Sequence, residues 1–144
     1  MKNSKGLTIT EFLIVTLLIA ISAAFAVPSY QNAITKARVR DAIVQLSAIH
    51  SACMIFESQN GNFPTNTFST VPTINTALNI NLIDDGVITY QYVGDGGAGN
   101  TFTATATDGN FVVTVDETNL SQRTGSLNPR CTSGAGTCSF LGIN

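Results

Sequence analysis

Charge is what this 144-residue chain has least of: 11% of its residues are Asp, Glu, Lys or Arg, against about a quarter in an ordinary globular domain. The formal net charge is −2, and no group of lysines and arginines lies beyond the N-terminal third. Recognition of nucleic acid needs positive charge concentrated against phosphates, so no nucleic-acid partner is expected. Histidine occurs once, as His50. No nucleophile is spaced to work with it, so it reads as a surface or interface residue and the chain as no enzyme. The loop from Gly94 to Asn100 is rich in glycine but lacks the Lys-Ser/Thr that completes a phosphate-binding loop. Asp84, Asp85 and Asp95 are possible cation ligands, but Asp-Gly serves turn formation equally well. No metal and no cofactor are expected.

Cysteine is sparse too: Cys53, Cys131 and Cys138. The last two enclose a short loop, either as a disulfide or as half of a metal site. A metal site needs further Cys or His nearby and His50 is distant in sequence, so the disulfide is favoured, and with it an oxidising compartment. On the chain-entropy model so short a loop contributes about 2.5 kcal/mol. Cys53 reads as a small buried apolar residue, with an intermolecular disulfide as the rival reading.

Apolar residues, at 44%, are in excess, and they are unevenly spread. The run from Leu7 to Ala26 holds one charge, Glu11. As a helix this run spans about 30 Å, enough to cross a bilayer core. Lys2 and Lys5 precede it and favour the cytoplasmic side. Two readings compete. Ala24-Phe25-Ala26 fits a signal-peptide cleavage site, which would leave a soluble secreted binding protein starting at Val27. Glu11 opposes that reading. A carboxylate in an apolar span costs about 2.5–3.5 kcal/mol on insertion scales and marks function with a partner to be named.

Lys5-Gly6-Leu7-Thr8-Ile9-Thr10-Glu11, the apolar run, and then Val27-Pro28-Ser29-Tyr30 together resemble the type IV pilin family, including its pseudopilin relatives. Leu7 stands where the family more often has Phe, Thr10 where it has an apolar residue, and Ala20 where a glycine is frequent. The resemblance implies a leader, residues 1–6, cut after Gly6 by a prepilin peptidase that also methylates Leu7. It implies a transmembrane and filament-core helix over 7–28 and a globular head over 29–144. Thr8, Glu11 and Pro28 are then the assembly residues. Cutting creates an ammonium on Leu7, and the Glu11 carboxylate of one subunit is its natural partner in a neighbour, setting register more than adding stability. Thr10 supplies a hydroxyl able to bond Glu11. The implied partners are further copies of the chain, the peptidase, and an inner-membrane assembly platform with its ATPase. The implied location is the inner membrane first and a surface filament afterwards. A secretion pseudopilin acting as a periplasmic piston is the alternative. The Cys131–Cys138 loop resembles the type IVa pilin arrangement and tilts toward a pilin.

The remaining pattern is α+β. A helix is expected from Ser29 to Gln59, with a kink or local unwinding near residues 24–28 at Pro28. Val39, Ala42, Leu46, Ile49, Cys53 and Phe56 form one apolar stripe. Ala37, Val44, Ala48 and Ile55 form a second, which either widens the core face or is covered by adjacent subunits. Lys36, Arg38, Arg40 and Asp41 make a charged patch, solvated or facing a neighbour's acids. A polar connector follows to Gly86, with a helical turn at Ile74–Leu78. Strands are expected at Val87–Val93, Thr101–Thr107 and Asn110–Val115, the last two joined by a tight turn at Asp108-Gly109. The economical arrangement is a sheet of three or four antiparallel strands packed on the distal half of a long kinked helix. The tail from Ser121 reads as irregular. Asn119-Leu120-Ser121 is a glycosylation triplet of low specificity. Phe25, Tyr30, Phe56 and Tyr90 read as packing residues.

Overall fold

The apolar run and the stripe that follows it become one element. In the computed structural model, which describes residues 8–95, 100–118 and 128–131, helix α1 runs Ile9–Asn60. Residues 24–28 remain helical and the assignment continues through Pro28. The expected local unwinding is absent, because a proline removes a single N–H and a long helix can carry that loss. The helix stops at Gly61, whose φ of 78° needs a residue without Cβ and whose N–H donates to the Glu57 carbonyl at 2.7 Å.

Two compact units divide between Thr35 and Lys36. In the first, every described residue from Thr8 to Ala33 is exposed, Phe25 and Tyr30 included. Those two aromatics are therefore not core packing in the single chain, as the sequence reading had them. In the second unit the predicted first stripe is the buried one: Val39, Ala42, Leu46, Ile49 and Cys53 are inaccessible, with Phe56 half-buried. Around them follow β1 (Thr67–Phe68), α2 (Val71–Leu78), β2 (Thr89–Gly94), β3 (Phe102–Thr107), β4 (Val112–Asp116) and β5 (Arg130–Cys131). The strands form an antiparallel sheet in the order β1-β2-β3-β4-β5, completing an α+β, pilin-like arrangement. Alternation puts Tyr90 and Tyr92, Ala104 and Ala106, and Val113 and Val115 on the core face. In register, Tyr90 faces Ala106 and Ala106 faces Val113, while Tyr92 faces Ala104 and Ala104 faces Val115. Small alanines on β3 make room for the tyrosine rings and for the α1 stripe that shares their core.

Five strands replace the expected three or four, because both sheet edges recruit a two-residue piece. Residues 130–131, in the tail read as irregular, pair with β4. The connector is also more ordered than expected. Its α2 buries Val71, Ile74 and Leu78, and Asn75 pins the exit by accepting from the Leu82 N–H and donating to its carbonyl, at 2.8 and 3.2 Å. Two strands start late for one shared reason, an aspartate turn. Asp85 Oδ1 accepts from the amides of Val87 and Ile88, and Asp108 Oδ1 from those of Asn110 and Phe111. The second of these makes the β3–β4 connection a four-residue loop, since Thr107 pairs with Val112, not the tight Asp-Gly turn expected.

Candidate assembly helix

Glu11 is placed by its own helix terminus. Thr8 precedes the first helical residue, and its Oγ1 accepts from the Glu11 N–H at 3.3 Å. The Thr8 N–H in turn donates to Glu11 Oε2 at 3.5 Å, and the Thr8 hydroxyl reaches the same oxygen at 3.5 Å. This is a capping box, Thr-x-x-Glu, in which two groups that a helix start leaves unpaired satisfy each other. Negative charge in the first turn also complements the helix dipole. The expected Thr10–Glu11 bond is not formed. The Thr10 hydroxyl pairs with that of Thr8 at 3.1 Å, and side chains one apart on a helix do not face each other. The Thr-x-x-Glu spacing was visible in the sequence, and it is the one local signal there that reading for assembly alone passes over.

Beyond Glu11 the helix offers hydrocarbon. Its most apolar 18-residue window has a mean hydropathy of 2.3 and none of it is buried in the chain, long and apolar enough to cross a membrane. Hydroxyls along it are satisfied internally: Thr16 donates to the Leu13 carbonyl at 2.9 Å and Ser22 to that of Leu18 at 2.8 Å. That removes the cost of placing them in an apolar surrounding. Val15, Leu18, Ile19, Ser22, Ala23 and Ala26 line a shallow groove on one face. Its residues shrink toward the C-terminal end, which permits close approach of another helix.

The second stripe is left uncovered within the chain. Val44 is 67% and Ile55 58% exposed, with Ala37 and Ala48 also exposed, so the wider-core reading fails. The charged patch is partly internal instead. Arg38 Nη1 lies 3.5 Å from Oδ2 of Asp108, a carboxylate only 1% exposed, and Asp41 accepts from the Gln45 amide at 3.0 Å. His50 is buried, not a surface or interface residue. Its Nε2 meets the Thr118 carbonyl at 2.9 Å and its ring sits 5.9 Å from that of Phe102. Asp84 and Asp85 serve turns, and no group of three or more metal-binding side chains exists among the described residues. Cys53 is a free, buried thiol, and Cys131 is buried on β5. Gly6, Leu7, Cys138 and the Asn119 triplet lie outside the described residues. The structure brings Thr8 and Glu11 together and places Pro28 farther along the same helix.

No family model matches the chain, and no solved structure does. Two fimbrial proteins of Pseudomonas aeruginosa are each 40% identical to it over 52 residues, which is 36% of this chain and 34% of each of theirs. The match thus spans about a third of the length of these curated relatives. This partial homology and the long apolar N-terminal helix fit a pilin-like protein at family level.

Proposed function

We propose that the chain is the structural subunit of a type IV pilus-like filament, cut between Gly6 and Leu7, methylated on Leu7, and polymerised through α1. One observation carries the reading. The helix from Ile9 presents apolar side chains on every side, and the sole charge from Thr8 to Val27 is a carboxylate at its start. A surface that large needs lipid first and other helices afterwards. The Leu7 ammonium made by cleavage is the charge that answers Glu11 in a neighbouring copy. Thr8 orients that carboxylate, and the apolar run beyond it up to Pro28 supplies the packing. The partners are further copies of the chain, a prepilin peptidase, and an inner-membrane platform with its ATPase, and the route leads from the inner membrane to a surface filament. A structural, non-enzymatic role agrees with the partial likeness to fimbrial proteins.

The exposed stripe of Ala37, Val44, Ala48 and Ile55 has a place in this reading as a face covered by an adjacent subunit. The disulfide between Cys131 and Cys138 belongs to the same proposal, and an intact loop peptide in non-reducing mass spectrometry is its signature. N-terminal sequencing of the purified protein, with electron microscopy of sheared surface material, tests the whole. Methyl-Leu7 in a fibre composed of this chain supports it. A mature start at Val27 replaces it with a soluble secreted protein, and fibres confined to the periplasm replace it with a pseudopilin.

A further inference from the structure

The uncovered stripe of α1 has borders of opposite charge. Arg40 and Asp41 are successive residues, so they point about 100° apart around the helix. The stripe runs between them, because Ala37 and Val44 each stand three or four residues from both. All four side chains are exposed. On the Asp41 border the charge is negative, and the connector builds it up. Asp41 accepts from the Gln45 amide at 3.0 Å, and Gln45 accepts from the Ile83 N–H at 3.0 Å. These two bonds dock the stretch that carries Asp84 and Asp85 beside α1. Tyr90 is buried and its hydroxyl has no hydrogen-bond partner among the described residues. Burial first, and then the charges of Asp41, Asp85 and Asp84, push that hydroxyl's pKa up, so one buried group feels all three carboxylates.

Within the chain this negative charge is only partly answered. Arg38 is the cation nearest to hand, and its guanidinium already lies 3.5 Å from Asp108. Asp84 is exposed and gives one oxygen to the Gly86 N–H at 3.0 Å, while the other has no partner among the described residues. On the opposite border Arg40 is isolated. No acid stands three or four residues from it along α1. Among the described cations, Arg38 is held by Asp108 and Arg130 by Asp116, and Lys36 is engaged. Arg40 is the one left without a partner among the described residues.

We propose that Arg40 of one copy pairs with Asp84 and Asp41 of the next, so that each subunit turns its basic border to one neighbour and its acidic border to another. A contact between two different patches repeats without closing, as an open polymer needs. Ile83, 70% exposed beside Asp84, and Val44 beside Arg40 give each patch an apolar residue to bury with its charge. Exposed ion pairs add little stability. The pairing therefore selects the side and direction from which a copy arrives, and rejects approaches that set like charges together. The inference rests on the filament reading and names the surfaces by which heads recognise each other within it.

Filament yield from cells carrying Arg40→Glu, Asp84→Lys, and both together tests it. Each single variant sets like charges against each other and is expected to cut the yield roughly tenfold or more. The double variant exchanges the signs and is expected to recover most of the loss. Arg40→Glu breaks no described contact, so its head should keep the wild-type urea midpoint. Should Asp84→Lys lower that midpoint through loss of the Gly86 bond, Asp41→Lys takes its place in the same exchange. Cross-linking gives a geometric readout: oxidised R40C/D84C filaments are expected to yield a ladder of joined copies, and R40C or D84C alone none. The pairing is overturned by normal yield from Arg40→Glu, by a double variant no better than the single ones, or by closed dimers in place of the ladder. Wild-type cells without any fibre would take the filament reading down with it, whereas fibres indifferent to Arg40 leave that reading standing.

Discussion

At the scale of single residues, Glu11 has two roles that one substitution can separate. Its backbone N–H and carboxylate close the capping box with Thr8, and its charge is the proposed partner of a neighbour's ammonium. Glutamine keeps the box, since Gln serves at the third helical position as Glu does, and removes the charge. Glu11→Gln is therefore expected to leave the chain helical and membrane-inserted while cutting filament yield as sharply as Glu11→Ala. Filaments at wild-type levels from the glutamine variant would reduce Glu11 to a cap and end the pairing idea. Cys53 offers a pH test. Burial, slightly relieved by a hydrogen bond with Tyr92, lifts its thiol from 9.0 to about 12. Below about pH 9 both the folded and the unfolded chain hold that proton. From there to about 12 the unfolded chain alone releases it, so stability falls as pH rises through that window. Urea unfolding between neutral pH and about pH 11 is expected to show the loss, and Cys53→Ala to lessen it. Tyr90 and Tyr92, also raised by burial, keep part of the slope. The same burial makes Cys53 inert to maleimide in the native chain.

At the scale of elements, the most exacting contact is between β2 and the turn after α1. A Cβ on Gly94 would stand 1.8 Å from the Pro64 carbonyl oxygen, and backbone on both sides leaves no flexible atom to yield. Gly94→Ala is expected to lower the thermal midpoint by well over the ~4 °C that about 1 kcal/mol produces in a domain of this size, and circular dichroism melts would measure it. The exposed stripe of α1 behaves in the opposite way. Val44→Asp and Ile55→Asp touch no core, so the single chain should unfold within about 0.5 kcal/mol of wild type while filaments disappear. Fibres of normal yield would mean that this face is not covered in the assembly. Much of this architecture was legible in the residues. The α1 stripe and strands β2 to β4 are long enough to express a period, and the burial followed it. Strands β1 and β5 have two residues each and no period at all; the unpaired edges of their neighbours create them. The aspartate turns were read as turns, but their reach over two following amides, which delays β2 and β4, depends on side-chain geometry. His50 escaped because its partner, the Thr118 carbonyl, is 68 residues away. In the site, Glu11 and the apolar run stood out at once, whereas the capping role of Thr8, present in the sequence as Thr-x-x-Glu spacing, was passed over in favour of assembly.

At the scale of the whole molecule, the burial divides as the sequence does. Every described buried apolar residue lies at or beyond Val39, within the unit that starts at Lys36. The residues before it contribute membrane-length hydrocarbon and nothing to that core. The head's stability should therefore be indifferent to the apolar run, although the run's solubility is not. A chain beginning at Ser29 keeps the α1 residues that pack on the sheet and loses Ile9 to Val27, the segment with no partner inside the chain. It is expected to stay in solution without detergent, elute as a monomer, and unfold in one cooperative urea transition. Its midpoint should match that of the detergent-solubilised full chain within experimental error, because the core is shared and the slope follows the surface exposed. It should also fail to form filaments at any concentration. A truncated head that aggregates, or that melts without a cooperative transition, would show that the apolar half of α1 supports the fold and does not serve only to hold a membrane and join copies.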